Sequence, residues 1–292
     1  MPLTDLQRRV LRLLASNRSP GSHLAGGAAI HRAESSLRYS GDLDFFHDSE
    51  DLVADAFARD VALLERNGYQ VCDSKVLPGF VRASVSDRVS AIRVEWARDS
   101  AFRFMPPLQD PEIGYLLHPV DLAVNKVLAL AGREESRDLV DTLYVHENVL
   151  GLGALCWAAA GKDPGFSPSA LVEMLRTKGP ITATELRTLD LMRSLDPADL
   201  KRRWTSALGA AARFVQRMPA EEIGCLYYNP GRKQFVQPEL NSPELKECVR
   251  HFGRPGGVIP QLTPPPFVFA DEDERRRLVE GFRPQSPPPF EP

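Results

Sequence analysis

The chain has 292 residues, 43% of them hydrophobic, and a formal net charge of −3. This length suits one large domain or two modest ones. The charge excludes a broad basic field, so any contact with RNA or DNA would depend on a local patch. The four cysteines are far apart and form no CxxC pair, which argues against a zinc site or a disulfide framework. The start lacks a signal-peptide core, and no apolar run reaches about 18 residues, so we expect a cytoplasmic protein without a membrane span.

Apolar residues at helical spacing predict a first helix over 3–15, capped by Thr4 or Asp5. A short strand over 23–25 leads into a glycine pair, and a brief helix over 28–33 follows. The next predicted elements are an acidic strand, an amphipathic helix and three strands, at 39–46, 49–67, 69–77, 80–87 and 89–97.

The second half is predominantly helical in its pattern. A helix begins at Pro119, and Ser136 is placed to cap the next one. A hairpin is predicted over 223–238 with its turn at 228–231, and the proline-rich segment 254–292 reads as extended or disordered chain. The remaining predicted helices lie at 153–160, 168–175, 182–191 and 197–218, the last capped by Asp196.

The stretch 24–46 carries the clearest chemical signal. It contains Gly26-Gly27 and, further on, Asp42 and Asp44. Alternate residues of a strand share a face, roughly 6.6 Å apart, so the two carboxylates would lie side by side. A divalent cation relieves their repulsion, and a glycine pair lets the backbone N–H groups approach phosphate. This combination is the minimum required for nucleotidyl transfer, and the alternative is a glycine turn followed by an exposed acidic strand end.

A third carboxylate follows on the strand over 89–97. Arg93 and Glu95 share the face of this strand opposite its apolar residues. Glu95 would point the same way as Asp42 and Asp44 if the two strands are neighbours. The alternative is a half-exposed strand in which Glu95 pairs with Arg93.

Charged residues also mark the helices after Pro119. Lys126 and Arg133 are two helical turns apart, so they lie on nearly the same side if the helix persists that far. Arg137, Asp138 and Asp141 follow. The alternatives are a solvated helix face for Lys126 and electrostatic help at a helix start for Asp138.

Two motifs carry a family resemblance. Residues 24–46 resemble the nucleotidyltransferase superfamily pattern, a Gly-Gly or Gly-Ser followed by Asp-x-Asp. The run HPVDLAVNKVLALAGREESRDLVDTLYV resembles the second signature of the abortive-infection (AbiEii/AbiGii-type) nucleotidyltransferase toxins of type IV toxin–antitoxin systems. That branch more often has Asp where Glu95 stands. The residues at matching positions are Arg38, Ser40, Lys126, Arg133, Arg137, Asp138 and Asp141.

The resemblance implies an α/β fold in which a nucleotidyltransferase-type mixed-sheet domain over 1–117 precedes a helical domain over 118–253 that ends in a hairpin. The segment 254–292 is the proline-rich tail. The implied catalytic residues are Asp42, Asp44, Glu95, Lys126 and Asp138, of which the first three would hold Mg²⁺ or Mn²⁺. The implied NTP-binding residues are Gly26, Gly27, Arg38, Ser40, Lys126 and Arg133.

The implied function is metal-dependent transfer of a nucleoside monophosphate from an NTP to an RNA end, such as the 3′ end of tRNA. The protein would act as a toxin with a separately encoded antitoxin. One alternative keeps the chemistry and changes the acceptor to a small molecule or a protein hydroxyl; another is an inert binding module of the same fold. Lys201-Arg202-Arg203 beside Trp204 is a basic–aromatic cluster available to RNA, and its alternative is a solvated face over a buried Trp.

Overall fold

The computed structural model describes residues 3–32, 36–179 and 181–261. Within them the helices are α1 (Asp5–Leu14), α2 (Gly26–Ile30), α3 (Glu50–Arg66), α4 (Pro119–Gly132), α5 (Ser136–Asn148), α6 (Leu152–Lys162), α7 (Pro168–Thr177), α8 (Ala183–Thr188), α9 (Pro197–Arg217) and α10 (Pro243–Glu247). The strands are β1 (Ser22–Ala25), β2 (Asp42–His47), β3 (Gln70–Leu77), β4 (Phe80–Ser86), β5 (Ala91–Arg98), β6 (Phe102–Arg103), β7 (Leu108–Asp110), β8 (Gly114–Leu116), β9 (Cys225–Asn229), β10 (Gln234–Val236), β11 (Val249–Phe252) and β12 (Arg254–Pro255).

Seven strands form a mixed sheet in the order β3-β4-β5-β2-β1-β8-β7. β2 runs parallel to β5, β1 runs parallel to β8, and the other neighbours are antiparallel. Smaller sheets join β10, β9 and β11, and β12 with β6. The mixed sheet with many helices confirms the predicted α/β class.

One face of the large sheet is apolar and buried, because alternate strand residues point into it. Leu43 and Phe45 of β2 and Val94 and Trp96 of β5 are fully buried there, in a cluster shared with α1 and α3. A second apolar cluster is built mainly from the helices after β8 and centres on residues such as Trp157. The opposite face of β2 and β5 is left for charged side chains. The predicted domain boundaries at 117 and 253 stay predictions.

Several predicted helix starts are confirmed in detail. Thr4 forms a reciprocal capping box with Gln7, in which each side chain accepts from the other residue's backbone N–H. Asp196 caps α9, and Pro119 occupies the first turn of α4. None of the helices in the described ranges is long and apolar enough to span a membrane.

Other local predictions were wrong at their boundaries. Ser136 does not cap α5: Glu135 holds that position, and the Ser136 hydroxyl donates to Glu185 at 2.7 Å. The condition under which Lys126 and Arg133 would share a side of one helix is not met, because α4 ends at Gly132 and Arg133 is extended. The predicted helix over 28–33 begins earlier, at Gly26, and residue 33 lies outside the described residues.

The acidic strand and the hairpin turn are each displaced from their predicted positions. Residues 39–41 leave the sheet, because the Tyr39 N–H donates to Asp190 and the Ser40 carbonyl accepts from Gln7. The hairpin turn lies two residues later than predicted, at 230–233, and the Asn229 side chain accepts from a backbone N–H within it. At the predicted tail, Arg254–Pro255 pairs with β6, and residues 262–292 lie outside the described residues.

Candidate active site

Three neighbouring strands align charged side chains in rows across the open face of the sheet. In the first row Asp42 of β2 lies beside Arg93 of β5. In the second row Asp44 of β2 lies beside Glu95 of β5, and Glu95 lies beside Arg82 of β4. The structure thus places the three carboxylates predicted as metal ligands next to one another, on the face opposite the buried apolar residues.

Asp44 is the carboxylate without a protein partner in this cluster. Among the described residues its side chain makes no hydrogen bond or ion pair, whereas Asp42 and Glu95 are both paired with arginines. Burial, followed by the neighbouring charge of Glu95, raises the pKa of Asp44 to about 6, although Lys126 opposes this rise. The ionised Asp44 is therefore short of positive charge, and a cationic ligand would stabilise it.

The backbone beside Asp44 requires glycine. Gly26 has a φ of +64°, in the left-handed region that disfavours side chains. A β-carbon at this position would also lie 1.8 Å from Asp44 Oδ2. Gly26 therefore allows the backbone and the carboxylate to approach each other, which no other residue type permits.

Replacing Gly26 by Ala is expected to reduce catalysis at least about a hundredfold, because Asp44 would have to move and misplacement of about 1 Å costs that much. The rate of the NTP turnover that the sequence motifs predict measures this effect. The control is Gly209→Ala within α9, where the new methyl group meets only the end of Arg213 at 3.5 Å. Turnover of Gly26→Ala equal to that of the control would show that the position of Asp44 is not critical.

Asp42 is held by two arginines from different elements. Arg93 donates two hydrogen bonds to it, both of 2.8 Å, and Arg137 of α5 donates a third of 3.2 Å. Burial opposes ionisation of Asp42, but these contacts outweigh it and lower its pKa. Asp42 is thus ionised at neutral pH and joined to the start of α5.

Glu95 shows features of both interpretations that the sequence left open, a third metal ligand and a half-exposed residue paired with an arginine. It lies beside Asp44, and its Oε1 accepts a hydrogen bond of 2.8 Å from Arg82, with Arg93 further away at 3.9 Å. Its Oε2 makes no hydrogen bond to another described residue. Glu95 therefore faces the other two carboxylates and has one oxygen available.

Gly27, Arg38 and Ser40 pack against one another. A β-carbon on Gly27 would lie 2.8 Å from the Ser40 hydroxyl and 3.0 Å from the Arg38 guanidinium. Arg38 is itself fixed by two hydrogen bonds of 2.7 Å to Asp141. Both side chains pack against the first turn of α2, and their predicted contact with nucleotide stays a prediction.

Lys126 is fixed by two buried carboxylates from α5. Its Nζ lies 3.0 Å from Asp138 Oδ1 and 2.9 Å from Asp141 Oδ2, and only 9% of its side chain is exposed. Burial disfavours charge on Lys126, but the two aspartates outweigh this effect and raise its pKa. The lysine is therefore cationic and is held in one position.

Asp138 and Asp141 lie behind Lys126 and are fully buried. Asp138 also accepts from Arg133, at 2.6 Å to its Nε, and Asp141 contacts the imidazole of His31 at 2.7 Å. Burial would raise the pKa of both carboxyls, but their cationic partners lower it. Asp138 thus orients Lys126 and Arg133, while its predicted catalytic role stays a prediction.

A cavity of about 370 Å³ unites these groups, a size typical of small-molecule sites. Every predicted site residue except Asp138 contributes to its wall. The wall also contains residues that the sequence analysis did not select: Phe46, Phe80, Asp99, Asn125 and Lys162. Phe46 follows Asp44 by two residues, so strand alternation was a usable signal, whereas Lys162 on α6 had no comparable signal.

The carboxylates fit a magnesium or manganese ion in donor type. The described residues contain no group of three His, Cys, Asp or Glu side chains already arranged around a common metal position. Mg²⁺, however, is usually held by one or two carboxylates together with substrate phosphates and water, rather than by a complete protein cage. The unpartnered, half-buried Asp44 next to Asp42 meets that requirement.

No family model matches the chain, and no curated protein matches it. Comparison with solved structures shows a nucleotidyltransferase-type fold. MenT4, a nucleotidyltransferase toxin from Mycobacterium tuberculosis H37Rv, matches with a TM-score of 0.51 and 15% sequence identity, over 74% of this chain and 83% of that one. This similarity confirms the fold that the sequence motifs predict.

JHP933 from Helicobacter pylori also matches, with a TM-score of 0.43 and 15% identity, over 71% of this chain and 90% of that one.

Proposed function

We propose that the protein is a metal-dependent nucleotidyltransferase that moves a nucleoside monophosphate from an NTP to an acceptor hydroxyl. The observation that carries this proposal is the unpartnered Asp44, which lies beside Glu95 and Gly26 in the same cavity as Lys126. The fold shared with a nucleotidyltransferase toxin supports the same chemistry.

In this reaction the acceptor oxygen bonds to the α-phosphorus of the NTP, and the bond from that phosphorus to the β-phosphate oxygen breaks. Pyrophosphate leaves with the electron pair. Asp42 and Asp44, with Glu95 alongside, are the carboxylates that would hold Mg²⁺ or Mn²⁺, whose charge offsets that of the triphosphate.

The chain's own groups supply the remaining functions. Lys126, fixed by Asp138 and Asp141, presents a buried positive charge to the triphosphate. Glu95, whose Oε2 has no protein partner among the described residues, would accept the proton of the acceptor hydroxyl. Gly26 gives the backbone room beside Asp44.

Replacing Lys126 by Met is expected to weaken NTP binding more than Mn²⁺ binding, because the proposed partner of the lysine is phosphate. Titration calorimetry with a non-hydrolysable NTP and with Mn²⁺ measures the two affinities. Lys126→Arg should restore binding only in part, since a guanidinium presents its charge in a plane.

The matched control is Lys75→Met, on an exposed part of β3 outside the cavity. Lys126→Met also leaves two buried aspartates short of a partner, so a thermal melt must accompany the titration. A folded Lys126→Met protein that binds the NTP as tightly as Lys75→Met would remove the lysine from the phosphate site.

For the acceptor, we propose an RNA end such as the 3′ end of tRNA, in a cytoplasmic toxin restrained by a separately encoded antitoxin. The support is the sequence resemblance of both motifs to toxin-type nucleotidyltransferases, together with the toxin fold of MenT4. The affinity for RNA should be weak and should fall with rising salt, because a few positive residues would carry the contact with its phosphates.

One observation favours the alternative acceptor, a small molecule or a protein hydroxyl. Trp204 is buried, and the neighbouring Arg202 and Arg203 are paired with Asp199 and Glu147. This basic–aromatic cluster is therefore largely neutralised. Two measurements separate the acceptors. One compares the growth of cells that express the wild-type protein with the growth of cells that express Asp44→Asn. The other measures transfer of labelled nucleotide onto purified tRNA by each protein. A growth defect and labelled tRNA, both seen only with the wild-type protein, would support RNA as the acceptor. Normal growth with the label on a metabolite or a protein would exclude RNA as the acceptor.

A further inference from the structure

A third row of side chains crosses the same three strands directly after the two charged rows. Phe46 of β2 lies beside Ala97 of β5, and Ala97 lies beside Phe80 of β4. All three are half-buried and contribute to the cavity wall. Two aromatic rings thus flank one small residue on the open face of the sheet.

The position of this row relative to the carboxylates is set by strand geometry. Phe46 follows Asp44 by two residues, and Ala97 follows Glu95 by two, so the row lies about 6.6 Å beyond them on the same face. The Arg82 guanidinium lies over the Phe80 ring, 5.4 Å from its centroid, and this cation–π contact favours the position of the ring at the cavity wall. We call Phe46, Ala97 and Phe80 the apolar row.

Polar groups adjoin the apolar row at its far end. Lys162 Nζ donates to Asp99 Oδ2 at 2.8 Å and to Asn125 Oδ1 at 2.7 Å, and the Asn125 amide donates to Asp99 at 3.1 Å. The Lys162 side chain is 5% exposed. Each nitrogen keeps a hydrogen that these bonds do not use.

Helix α4 forms another part of the cavity wall. It contributes Leu122 and Ala129, one on each side of Asn125 along the helix. The cavity therefore combines flat apolar surface, aliphatic side chains and a polar edge, which together suit a planar heterocycle.

We propose that the apolar row is the subsite for the nucleobase of the incoming NTP, with Asp99, Asn125 and Lys162 at the edge of the base. This inference rests on the proposed function. The base stacks on the apolar row, with Phe46 and Phe80 on either side of Ala97, while the triphosphate reaches Lys126 and the carboxylates. The base of the NTP is favoured over a base of the acceptor, because the row shares one cavity with Lys126, the proposed partner of the triphosphate.

Stacking on an aromatic side chain changes affinity by roughly 5- to 150-fold per base. Calorimetric titration of the full chain with a non-hydrolysable NTP and with inorganic tripolyphosphate, which has no base, tests the proposal. Phe46→Leu and Phe80→Leu are expected to bind the NTP about tenfold more weakly and to bind tripolyphosphate as the wild type does. Ala97→Leu keeps both rings and should weaken NTP binding by covering the stacking surface.

Phe252→Leu on β11, half-exposed and outside the cavity, is the matched control and should bind both probes normally. NTP affinity unchanged in all three variants of the apolar row would overturn the base subsite and leave the proposed function intact. A wild-type protein that binds neither NTP nor tripolyphosphate would overturn both. Weakened binding of a single-stranded RNA acceptor with unchanged NTP binding would assign the row to the acceptor and also overturn the proposal.

Discussion

Replacing Asp44 by Asn is expected to lower nucleotidyl transfer about a thousandfold or more while leaving the protein folded. The substitution keeps the size of the side chain and removes the charge that would hold the metal ion, an interaction of several kcal/mol in the transition state. Single-turnover transfer of labelled nucleotide, in the presence of Mg²⁺ and the acceptor, measures the loss.

The Asp44→Asn protein should lose activity without losing stability against unfolding. Because burial and Glu95 raise the pKa of Asp44 to about 6, its ionised form weakens folding at pH 7, and this effect disappears as the pH falls below the ordinary carboxyl range. Asp44→Asn should therefore melt at or above the wild-type temperature at pH 7. Asp55→Asn, on an exposed position of α3, is the control for transfer. Near-wild-type transfer by folded Asp44→Asn would remove Asp44 from the catalytic site.

Replacing Asp141 by Ala is expected to produce the largest loss of stability. Its fully buried carboxylate contacts Arg38, Lys126 and His31, all of them nearly buried themselves. Removing one partner from a buried ion pair costs about 3–5 kcal/mol, because the remaining charges are left without compensation. A fall of roughly 10 °C in Tm should follow for a protein of this size.

The comparison variant for Asp141→Ala is Glu173→Ala, which breaks an exposed ion pair with Arg176 on α7. Exposed pairs contribute little, so its Tm should stay close to that of the wild type. If the Asp141 and Glu173 variants melt at the same temperature, the buried network does not hold α2, α4 and α5 together.

Local patterns were sufficient to predict most elements of the fold. The capping box at Thr4, the cap at Asp196 and the proline at the start of α4 are short-range signals, and each lies where the pattern predicts. β8, the parallel neighbour of β1, was missed, because its three residues carry no alternation that distinguishes them from a loop. The displaced start of β2 depends on contacts with Gln7 and Asp190, which are distant in sequence.

The site shows the same division between local and distant information. The spacing of Asp42 and Asp44 predicts a shared face, and the register of β2 against β5 then brings Glu95 to Asp44. The arginines that pair with these carboxylates depend on packing between elements: Arg137 reaches Asp42 only because α5 begins next to the sheet. The position of Asp138 behind Lys126 likewise follows from how α4 and α5 pack, which a motif cannot show.

The most direct test of the central claim follows the label from two forms of the same NTP, one labelled at the α-phosphate and one at the γ-phosphate. The wild-type protein is incubated with each form, Mg²⁺ and total cellular RNA. The same incubations are repeated with the Asp44→Asn protein and, for wild type, without metal. The account predicts that the α-label enters an acceptor and the γ-label appears in pyrophosphate, in both cases only with wild type and metal. Transfer of the γ-label to an acceptor, or pyrophosphate release that is equal with Asp44→Asn, would contradict nucleotidyl transfer at this site.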